Sequence, residues 1–232
     1  MRGLLLVLAE PGTSVPVAEF NDWYDDEHVP LRIPIPAFHT WSRWVALDNH
    51  KPSYLACYNL TDPDAINQPP YSDLANTRSE RETSILARIA LLDRRGYSSL
   101  PVPIPPKPDY DPHSPGPFIA VIFSHVAPDH EEDLNRWYDE EHVAAIAKTP
   151  SWVRSTRFVY RDGGVFGTDD SLKPNGEEPA KYLAVHEFSA DGFDQTEEMK
   201  AALSTPWSQR IFASALLMEV RHFKLLRTWK RD

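Results

Sequence analysis

A nine-residue motif occurs twice in the chain and constrains the fold more than any other feature. The segment 21–29, NDWYDDEHV, returns as NRWYDEEHV at 135–143, with seven identical positions at an offset of 114 residues. The same offset pairs Arg43 with Arg157. Self-similarity at a long fixed period indicates a repeated structural unit. The sequence therefore predicts a tandem repeat.

Prolines mark the junction between the two copies. Eight of the 22 prolines fall within 101–117, and proline lacks the N–H that helices and sheet interiors need. We predict a first repeat over 1–99, a Pro-rich linker over 100–116 and a second repeat over 117–232. The second repeat carries a Gly/Asp/Pro-rich insertion over 163–179, where the register between the copies slips by 14 residues.

Composition and charge argue against several classes of partner. A net charge of −10 opposes nucleic acid or an anionic membrane as the main partner, because such binding needs clustered Lys and Arg. No apolar run approaches the roughly 18–20 residues that span a bilayer. The single cysteine, Cys57, fits a reducing compartment. We expect a soluble, cytoplasmic protein.

Each copy is predicted to run strand, helix, strand, strand, helix, strand. The apolar run 4–8 matches 118–122 inside the chain, so we interpret it as a first strand and not as a signal peptide. The first helix spans 129–148 in the second copy, whereas Pro30 is expected to stop or kink its counterpart just after His28. The other predicted elements are strands at 38–47, 54–60, 88–97, 152–160, 181–188 and 219–229, and helices at 71–86 and 206–216.

This order of elements is that of the ferredoxin-like split βαβ arrangement, used twice. We therefore predict an α+β fold in which two ferredoxin-like βαββαβ repeats pack their antiparallel sheets into one barrel. The space between the two sheets is the expected place for a small-molecule pocket.

The repeated motif supplies the candidate catalytic residues. On a helical wheel, Glu27 and Glu141 fall on the sheet-facing side, where a carboxylate needs a partner. We expect Arg43 or Arg157 on the following strand to be that partner.

Two roles are open for the histidines of the motif. His28 and His142 lie beside acidic residues and can act as general acid/base groups near neutral pH, with Glu27 and Glu141 orienting or tuning them. In the structural alternative, the motif's aromatic residues fill the core, the glutamates pair with arginine, and the histidines cap helix carbonyls.

Other candidate pocket residues are aromatic or imidazole side chains at matching places in the two copies. They are Tyr24 and Tyr138 in the motif, and Tyr58 and His186 on the third strand of each copy. Core packing is the alternative for these side chains. Cys57 has no counterpart in the second copy, which disfavours it as a nucleophile.

No spacing in the chain is typical of a metal site or a phosphate loop. There is no His-x-x-x-His pair, no cysteine cluster and no Gly-rich strand-to-helix turn. We therefore expect chemistry without a metal or cofactor, or plain ligand binding.

The motifs "WYDDEHVPLRIPIPAF" and "WYDEEHVAAIAKTPSW", with a later "TPWS", resemble the EthD-like branch of the dimeric α+β barrel superfamily. Most members are single repeats that dimerise, so the resemblance implies a fused version. It also implies a pocket-facing histidine at the end of the first helix, a position that His28 and His142 match. The fold hosts isomerases, cyclases, cofactor-free monooxygenases and haem-handling enzymes, so it does not name one reaction.

The sequence-based hypothesis is a cofactor-independent enzyme that isomerises, dehydrates or cyclises a hydrophobic oxygenated ring compound such as a lactone or polyketide. The fused chain is expected to act alone or as a homodimer. His28 is favoured as the working histidine because Pro30 ends its helix. The alternatives are a binding module for a hydrophobic ligand or haem, a cofactor-free monooxygenase, and a structural protein with a filled barrel.

Overall fold

The computed structural model describes residues 2–174 and 178–231, which form two compact units. Unit 1 comprises Met1–Ser98, Tyr160–Pro179 and Leu225–Asp232, and unit 2 comprises Ser99–Val159 and Ala180–Lys224. Most of the predicted insertion 163–179 thus belongs to unit 1, and its residues 175–177 lie outside the described residues.

Unit 1 contains a four-stranded antiparallel sheet in the order β4-β1-β3-β2. Every residue of its first strand is buried, as expected of a strand that is covered on both faces. The strands are Gly3–Glu10 (β1), Phe38–Ala46 (β2), Tyr54–Leu60 (β3) and Leu91–Leu100 (β4).

The register of this sheet brings four side chains to the face that packs against the helices. Leu5 of β1 lies opposite Tyr58 of β3, and Val7 lies opposite Arg94 of β4. Directly opposed residues of an antiparallel pair share one face of the sheet. Leu5, Val7 and Tyr58 belong to the buried core of this unit.

The helical part of unit 1 differs from the prediction after β3. The expected helix 71–86 is wrong, because α2 starts only at Glu80, where the Ser79 hydroxyl caps it by accepting the Glu82 N–H at 3.0 Å. The helices are Val17–Trp23 (α1), a π-helix at Tyr24–His28, 3-10 helices at Pro30–Arg32, Pro63–Asn67 and Ser72–Asn76, and Glu80–Arg88 (α2).

Unit 2 contains a sheet with the corresponding order, β8-β5-β7-β6. Its strands are Phe118–Val126 (β5), Trp152–Phe166 (β6), Tyr182–Phe188 (β7) and Ala215–Trp229 (β8), of which residues 160–166 and 225–229 are counted with unit 1. Leu100, Val102 and Ile104 of the Pro-rich segment pack against its core.

The helices of unit 2 also depart from the prediction. The predicted helix 206–216 is observed as Pro206–Ser214, capped by the Thr205 hydroxyl, and the prediction missed a further helix, Glu197–Ser204, directly before it. The helices are a 3-10 turn at Pro128–His130, Glu131–Trp137 (α3), a π-helix at Tyr138–His142, Val143–Ile146 (α4), 3-10 turns at Asp170–Leu172 (unit 1) and Phe193–Gln195, Glu197–Ser204 (α5) and Pro206–Ser214 (α6).

A π-helical turn interrupts the first helix of each repeat within the duplicated motif. In the first copy the Val29 N–H donates to the Tyr24 carbonyl at 3.0 Å, five residues back. Such a turn is wider than an α-turn, so it changes which side chains share a face. Pro30 does not end the helical path, which continues as the 3-10 helix Pro30–Arg32.

The wide turn explains why the predicted glutamate–arginine pairs are wrong. Arg43 donates to Asp25 at 2.7 Å and to Asn21 at 2.8 Å, and Glu27 is not its partner. Arg157 makes the equivalent contacts, to Asp139 at 3.2 Å and to Asn135 at 2.6 Å. A wheel drawn at 100° per residue assumes α-helical phase throughout, and that assumption fails at the π-turn.

Among the described residues, no helix is both long and apolar enough to cross a membrane.

The capping of α6 provides a stability test. Thr205 accepts the Ser208 N–H at 3.0 Å and donates to Glu141 at 2.6 Å. We predict that Thr205→Ala lowers the free energy of unfolding by about 1–2 kcal/mol in urea titrations, because both bonds are lost. The exposed Thr83→Ala within α2 is the control and is expected to change stability by less than about 0.5 kcal/mol. Equal effects of the two substitutions would contradict the prediction.

Candidate functional site

A cavity of ≈ 400 Å³ lies in unit 1, between the sheet and its own helices. The lining strand residues come from the helix-facing side of β1, β3 and β4, so this cavity is distinct from the expected pocket between the sheets, which stays a prediction. Its size is in the range of small-molecule sites. The apolar part of the lining consists of Leu5, Val7, Ile66, Leu74, Leu86, Leu92 and Phe166.

A buried histidine–glutamate pair forms part of the cavity wall. His28 Nδ1 lies 2.7 Å from Glu82 Oε1, and the two residues are 7 % and 4 % exposed. The π-helical turn ends at His28, and the first turn of α2 carries Glu82. The pair therefore joins the duplicated motif to a helix 54 residues further along the chain.

The electrostatics of the pair define its protonation state. Burial holds the pKa of His28 well below its ordinary value of 6.5, and the nearby Arg32, Arg43 and Arg78 lower it further. The imidazole is thus neutral at pH 7. Because the Glu82 carboxylate accepts a hydrogen bond from the Nδ1–H group, the ring takes the tautomer in which Nε2 holds the free lone pair. Burial raises the pKa of Glu82, while Arg32 and Arg78 oppose that rise.

Three arginines line the same cavity. Arg32 is buried and donates from Nη1 to the His28 carbonyl. Arg94 donates to the Ile66 carbonyl at 3.0 Å and to the Tyr71 hydroxyl at 3.3 Å. Arg78 is exposed at the edge of the cavity. Within the part of the chain that the structure describes, none of the three arginines has an ion pair.

Of the predicted tyrosines, Tyr58 lies in the cavity wall and Tyr24 lies beside His28, whereas Tyr138 belongs to unit 2. Tyr58 lines the cavity, and Tyr24 packs against the His28 ring with a centroid distance of 4.9 Å. Both hydroxyls are buried and have no hydrogen-bond partner among the described residues. Burial raises the pKa of Tyr24 to about 12 and that of Tyr58 well above 10. Both phenols therefore stay protonated and can donate.

Two predicted residues have structural contacts at the edge of the site. Glu27 accepts the Ser79 hydroxyl at 2.5 Å, so it supports the cap of α2, and the carboxylate that orients His28 is Glu82. The guanidinium of Arg43 lies 4.3 Å from the Tyr24 ring centroid and holds that ring in place. His28 bonds a carboxylate, so the alternative of a helix-capping histidine does not describe it.

The corresponding place in unit 2 is built differently. His142 is 4 % exposed and stacks on Trp137 at a centroid distance of 3.8 Å and an interplanar angle of 23°. Its Nδ1 has no partner among the described residues. Ser208 occupies the place that Glu82 has after the helix cap, and it accepts from Trp137 Nε1 at 3.2 Å. Ser208 has no carboxylate, so this position in unit 2 supplies no counterpart of Glu82 to orient His142.

The other predicted residues of unit 2 are also buried or serve as structural partners. His186 Nδ1 lies 2.8 Å from the Ser155 hydroxyl, and the ring centroid is 6.1 Å from that of His142. Burial lowers the pKa of His186 to about 4, and Arg157 adds to that effect. The guanidinium of Arg157 lies 4.1 Å from the Tyr138 ring centroid, which matches the arginine–tyrosine contact of unit 1.

Sequence reasoning missed Glu82 and the cavity arginines. A signal for Glu82 exists in Ser79-Glu80-Arg81-Glu82, which has the S-x-x-E spacing of a capping box before the apolar Ile85 and Leu86. The prediction of a helix over 71–86 hid this signal, because it placed Ser79 inside a helix, whereas Ser79 is the residue that caps α2. No comparable signal marks Arg32 or Arg94.

Over residues 2–174 and 178–231, no group of three or more His, Cys, Asp or Glu side chains is placed to hold a metal ion.

Comparison with known proteins gives structural relatives only. No family model matches the sequence, and no curated protein matches it. An anthrone oxidase-like protein matches with a TM-score of 0.61 and 10 % identity, over 100 % of this chain and 93 % of its own. A candidate monooxygenase from Lactobacillus acidophilus NCFM matches with a TM-score of 0.55 and 9 % identity, over 100 % of this chain and 96 % of its own. A candidate chlorite dismutase matches with a TM-score of 0.55 and 12 % identity, over 98 % of this chain and 96 % of its own.

These likenesses show that the chain shares its overall fold with these three proteins. At 9–12 % identity they do not extend to a reaction or a substrate. The arrangement in unit 1 nevertheless has a clear chemical capacity: a neutral, oriented imidazole, phenol donors and guanidinium groups meet around a small cavity.

The buried His186 predicts a loss of stability in acid. Its pKa is about 4 in the folded chain and near 6.5 when unfolded, so the unfolded state binds more protons between these values. Stability is therefore lost as the pH falls from 6.5 to 4, by up to about 3 kcal/mol from this residue. We predict that His186→Gln flattens the pH dependence of urea unfolding over this range, whereas the exposed His130→Gln leaves it unchanged. A wild-type slope in His186→Gln would contradict the assignment.

Proposed function

We propose that the chain is a small-molecule enzyme that uses His28 as a general base, oriented by Glu82, in proton-transfer chemistry on a hydrophobic oxygenated ring compound. The reaction class is isomerisation, dehydration or cyclisation without a cofactor. One observation carries the proposal: the 2.7 Å His28–Glu82 hydrogen bond in the wall of the unit 1 cavity. This makes His28, and not His142, the working histidine.

The state of His28 supports its role as a base. A neutral imidazole with Nδ1–H bound to a carboxylate has its Nε2 lone pair available for a proton. As Nε2 takes that proton, the charge on the ring increases, and the Glu82 carboxylate stabilises the imidazolium that forms. The low pKa of His28 keeps the base unprotonated before the substrate binds.

The substrate oxygen needs a donor while the proton leaves. Loss of a proton next to a carbonyl moves negative charge onto the carbonyl oxygen as an enolate forms. The Tyr58 hydroxyl lines the cavity, is protonated and lacks a partner among the described residues, so it is the proposed donor to that oxygen. Return of the proton from Nε2 to another atom of the substrate completes an isomerisation.

A second outcome has support from the structural relatives. One is described as anthrone oxidase-like and another as a candidate monooxygenase. A carbanion formed by His28 can react with dioxygen, whereby a CH₂ group becomes C=O and the second oxygen atom leaves as water. That reaction requires no reductant and begins with the same proton abstraction.

The proposal extends to the origin of the chain. The matching strand orders of the two sheets and the shared π-helical motif support two fused ferredoxin-like repeats of the EthD-like type. In this proposal the first repeat keeps the catalytic site, and His142 in the second repeat is a core residue.

The catalytic role of His28 is tested by hydrogen exchange. Cyclic ketones and lactones with an acidic CH₂ group, anthrone and 2-coumaranone among them, are incubated in deuterated buffer under nitrogen. We predict enzyme-dependent exchange that falls by about 10²–10⁴-fold in His28→Ala. Glu82→Gln is expected to lower the rate by about 10-fold or more, because it no longer fixes the tautomer.

His142→Ala is the matched control, since it removes the same side chain from the other copy of the motif. It is expected to keep the wild-type exchange rate. Equal loss in both histidine variants, or full activity in His28→Ala, overturns the proposal. Oxygen uptake by the same samples in air distinguishes the oxidative outcome from isomerisation.

The low pKa of His28 predicts the pH dependence of the reaction. The base form increases as pH rises through the pKa of His28, which lies well below 6.5. We therefore predict that the rate is already at its plateau at pH 6.5 and falls only in more acidic buffer. A rate that still rises between pH 6.5 and 7.5 would be inconsistent with His28 as the base.

A further inference from the structure

We propose that the ligand of the cavity is a ring compound that carries a carboxylate, which Arg32 and Arg94 bind beside the His28–Glu82 pair. This inference rests on the proposed function because it takes the same cavity as the active site. It adds the chemical class of the substrate, which the catalytic pair alone does not define.

The charge of the cavity is opposite to that of the chain. The chain has a net charge of −10, whereas Arg32, Arg78 and Arg94 face the cavity together with one carboxylate, Glu82. His28 adds no positive charge, because its low pKa keeps it neutral. The excess of positive charge is therefore a local feature that favours an anion.

Arg32 gives the strongest indication of a missing anion. It is 7 % exposed, and no carboxylate pairs with it in the described ranges. A guanidinium has five N–H donors, and the His28 carbonyl is the acceptor described for this one. Burial of a cation without a paired charge is costly. A ligand carboxylate would offset that cost and occupy the remaining donors.

Arg94 is held at the same wall by contacts that leave its charge unpaired. Its guanidinium carbon lies 5.5 Å from the centroid of the Tyr71 ring, and that of Arg32 lies 5.6 Å from the same centroid. The acceptors of Arg94 are a carbonyl and a phenol, both neutral. Two oriented guanidinium groups near one ring suit the planar, bidentate geometry of a carboxylate.

The remainder of the cavity favours a single negative charge on an apolar body. Glu82 faces the same space and would repel a phosphate dianion more strongly than a monoanion. The leucine-rich lining and the volume of ≈ 400 Å³ suit a compound of one or two rings. We therefore assign a ring-bearing monocarboxylate.

Calorimetric titration of the full chain with 1-naphthoate and with its neutral analogue 1-naphthylmethanol tests the assignment. We expect naphthoate to bind at least about 10-fold more tightly than the alcohol. Arg94→Met is expected to weaken naphthoate binding by about 10–100-fold and to leave binding of the alcohol unchanged. Arg78→Gln, at an exposed position that tolerates substitution, is expected to weaken naphthoate binding by about 3-fold.

Arg161→Gln is the matched control. It removes one positive charge from the same unit, but Arg161 pairs with Asp64 at the surface and does not line the cavity. Its affinity for naphthoate is expected to stay within about 2-fold of wild type. Equal affinities for the acid and the alcohol, or equal effects of Arg94→Met and Arg161→Gln, would overturn the inference. Tighter binding of 1-naphthyl phosphate than of naphthoate would overturn the choice of a carboxylate.

These outcomes are separable from those of the proposed function. His28→Ala is expected to lose hydrogen exchange while it binds naphthoate within about 3-fold of wild type, because the arginines remain. Loss of exchange in His28→Ala together with no preference for the acid would leave the proposed function standing and refute the carboxylate. A preference for the acid together with full exchange in His28→Ala would support the carboxylate ligand and refute the proposed function of His28.

Discussion

A buried arginine on the second strand of each repeat holds the helix that carries the histidine. Arg43 bonds Asn21 and Asp25 and lies over the Tyr24 ring, and Arg157 makes the same set of contacts in the second copy. In the first copy these contacts reach Asn21 in α1 and Asp25 in the π-helical turn Tyr24–His28, and that turn ends at the histidine. Because the turn is π-helical, the histidine reaches the sheet-facing side. The position of the candidate base therefore follows from a structural arginine that is not itself part of the cavity.

The two copies of the motif share these arginine contacts and differ in the residue near the histidine. In the first repeat, the third residue of the capped helix is Glu82, and its carboxylate orients His28. In the second repeat, the same place is taken by Ser208, which satisfies the Trp137 indole and leaves His142 stacked on that ring. The residue at this position thus decides whether the imidazole has a carboxylate partner.

The cavity combines groups whose burial is costly in the absence of a ligand. Arg32 is a buried cation without a carboxylate partner in the described chain, and the Tyr58 hydroxyl is a buried donor without an acceptor there. Each of these groups lowers stability unless a ligand completes its contacts. The presence of such groups next to an oriented base favours a binding site.

The sequence by itself determined the repeat, the order of elements and a set of aromatic and histidine residues around one motif, because periodicity and identity at a fixed offset are local properties of the chain. The mixture of helices and antiparallel strands that it predicted is confirmed. Tertiary structure alone decided that Glu82 meets His28, that Arg43 pairs with Asp25, and that Arg32 and Arg94 share a cavity. These partners are 54, 18 and 62 residues apart in the chain. Contacts at such separations depend on helix phase and sheet register. The π-helical turn changes the phase of the first helix from that of a regular α-helix, and α2 begins at Glu80, nine residues later than predicted.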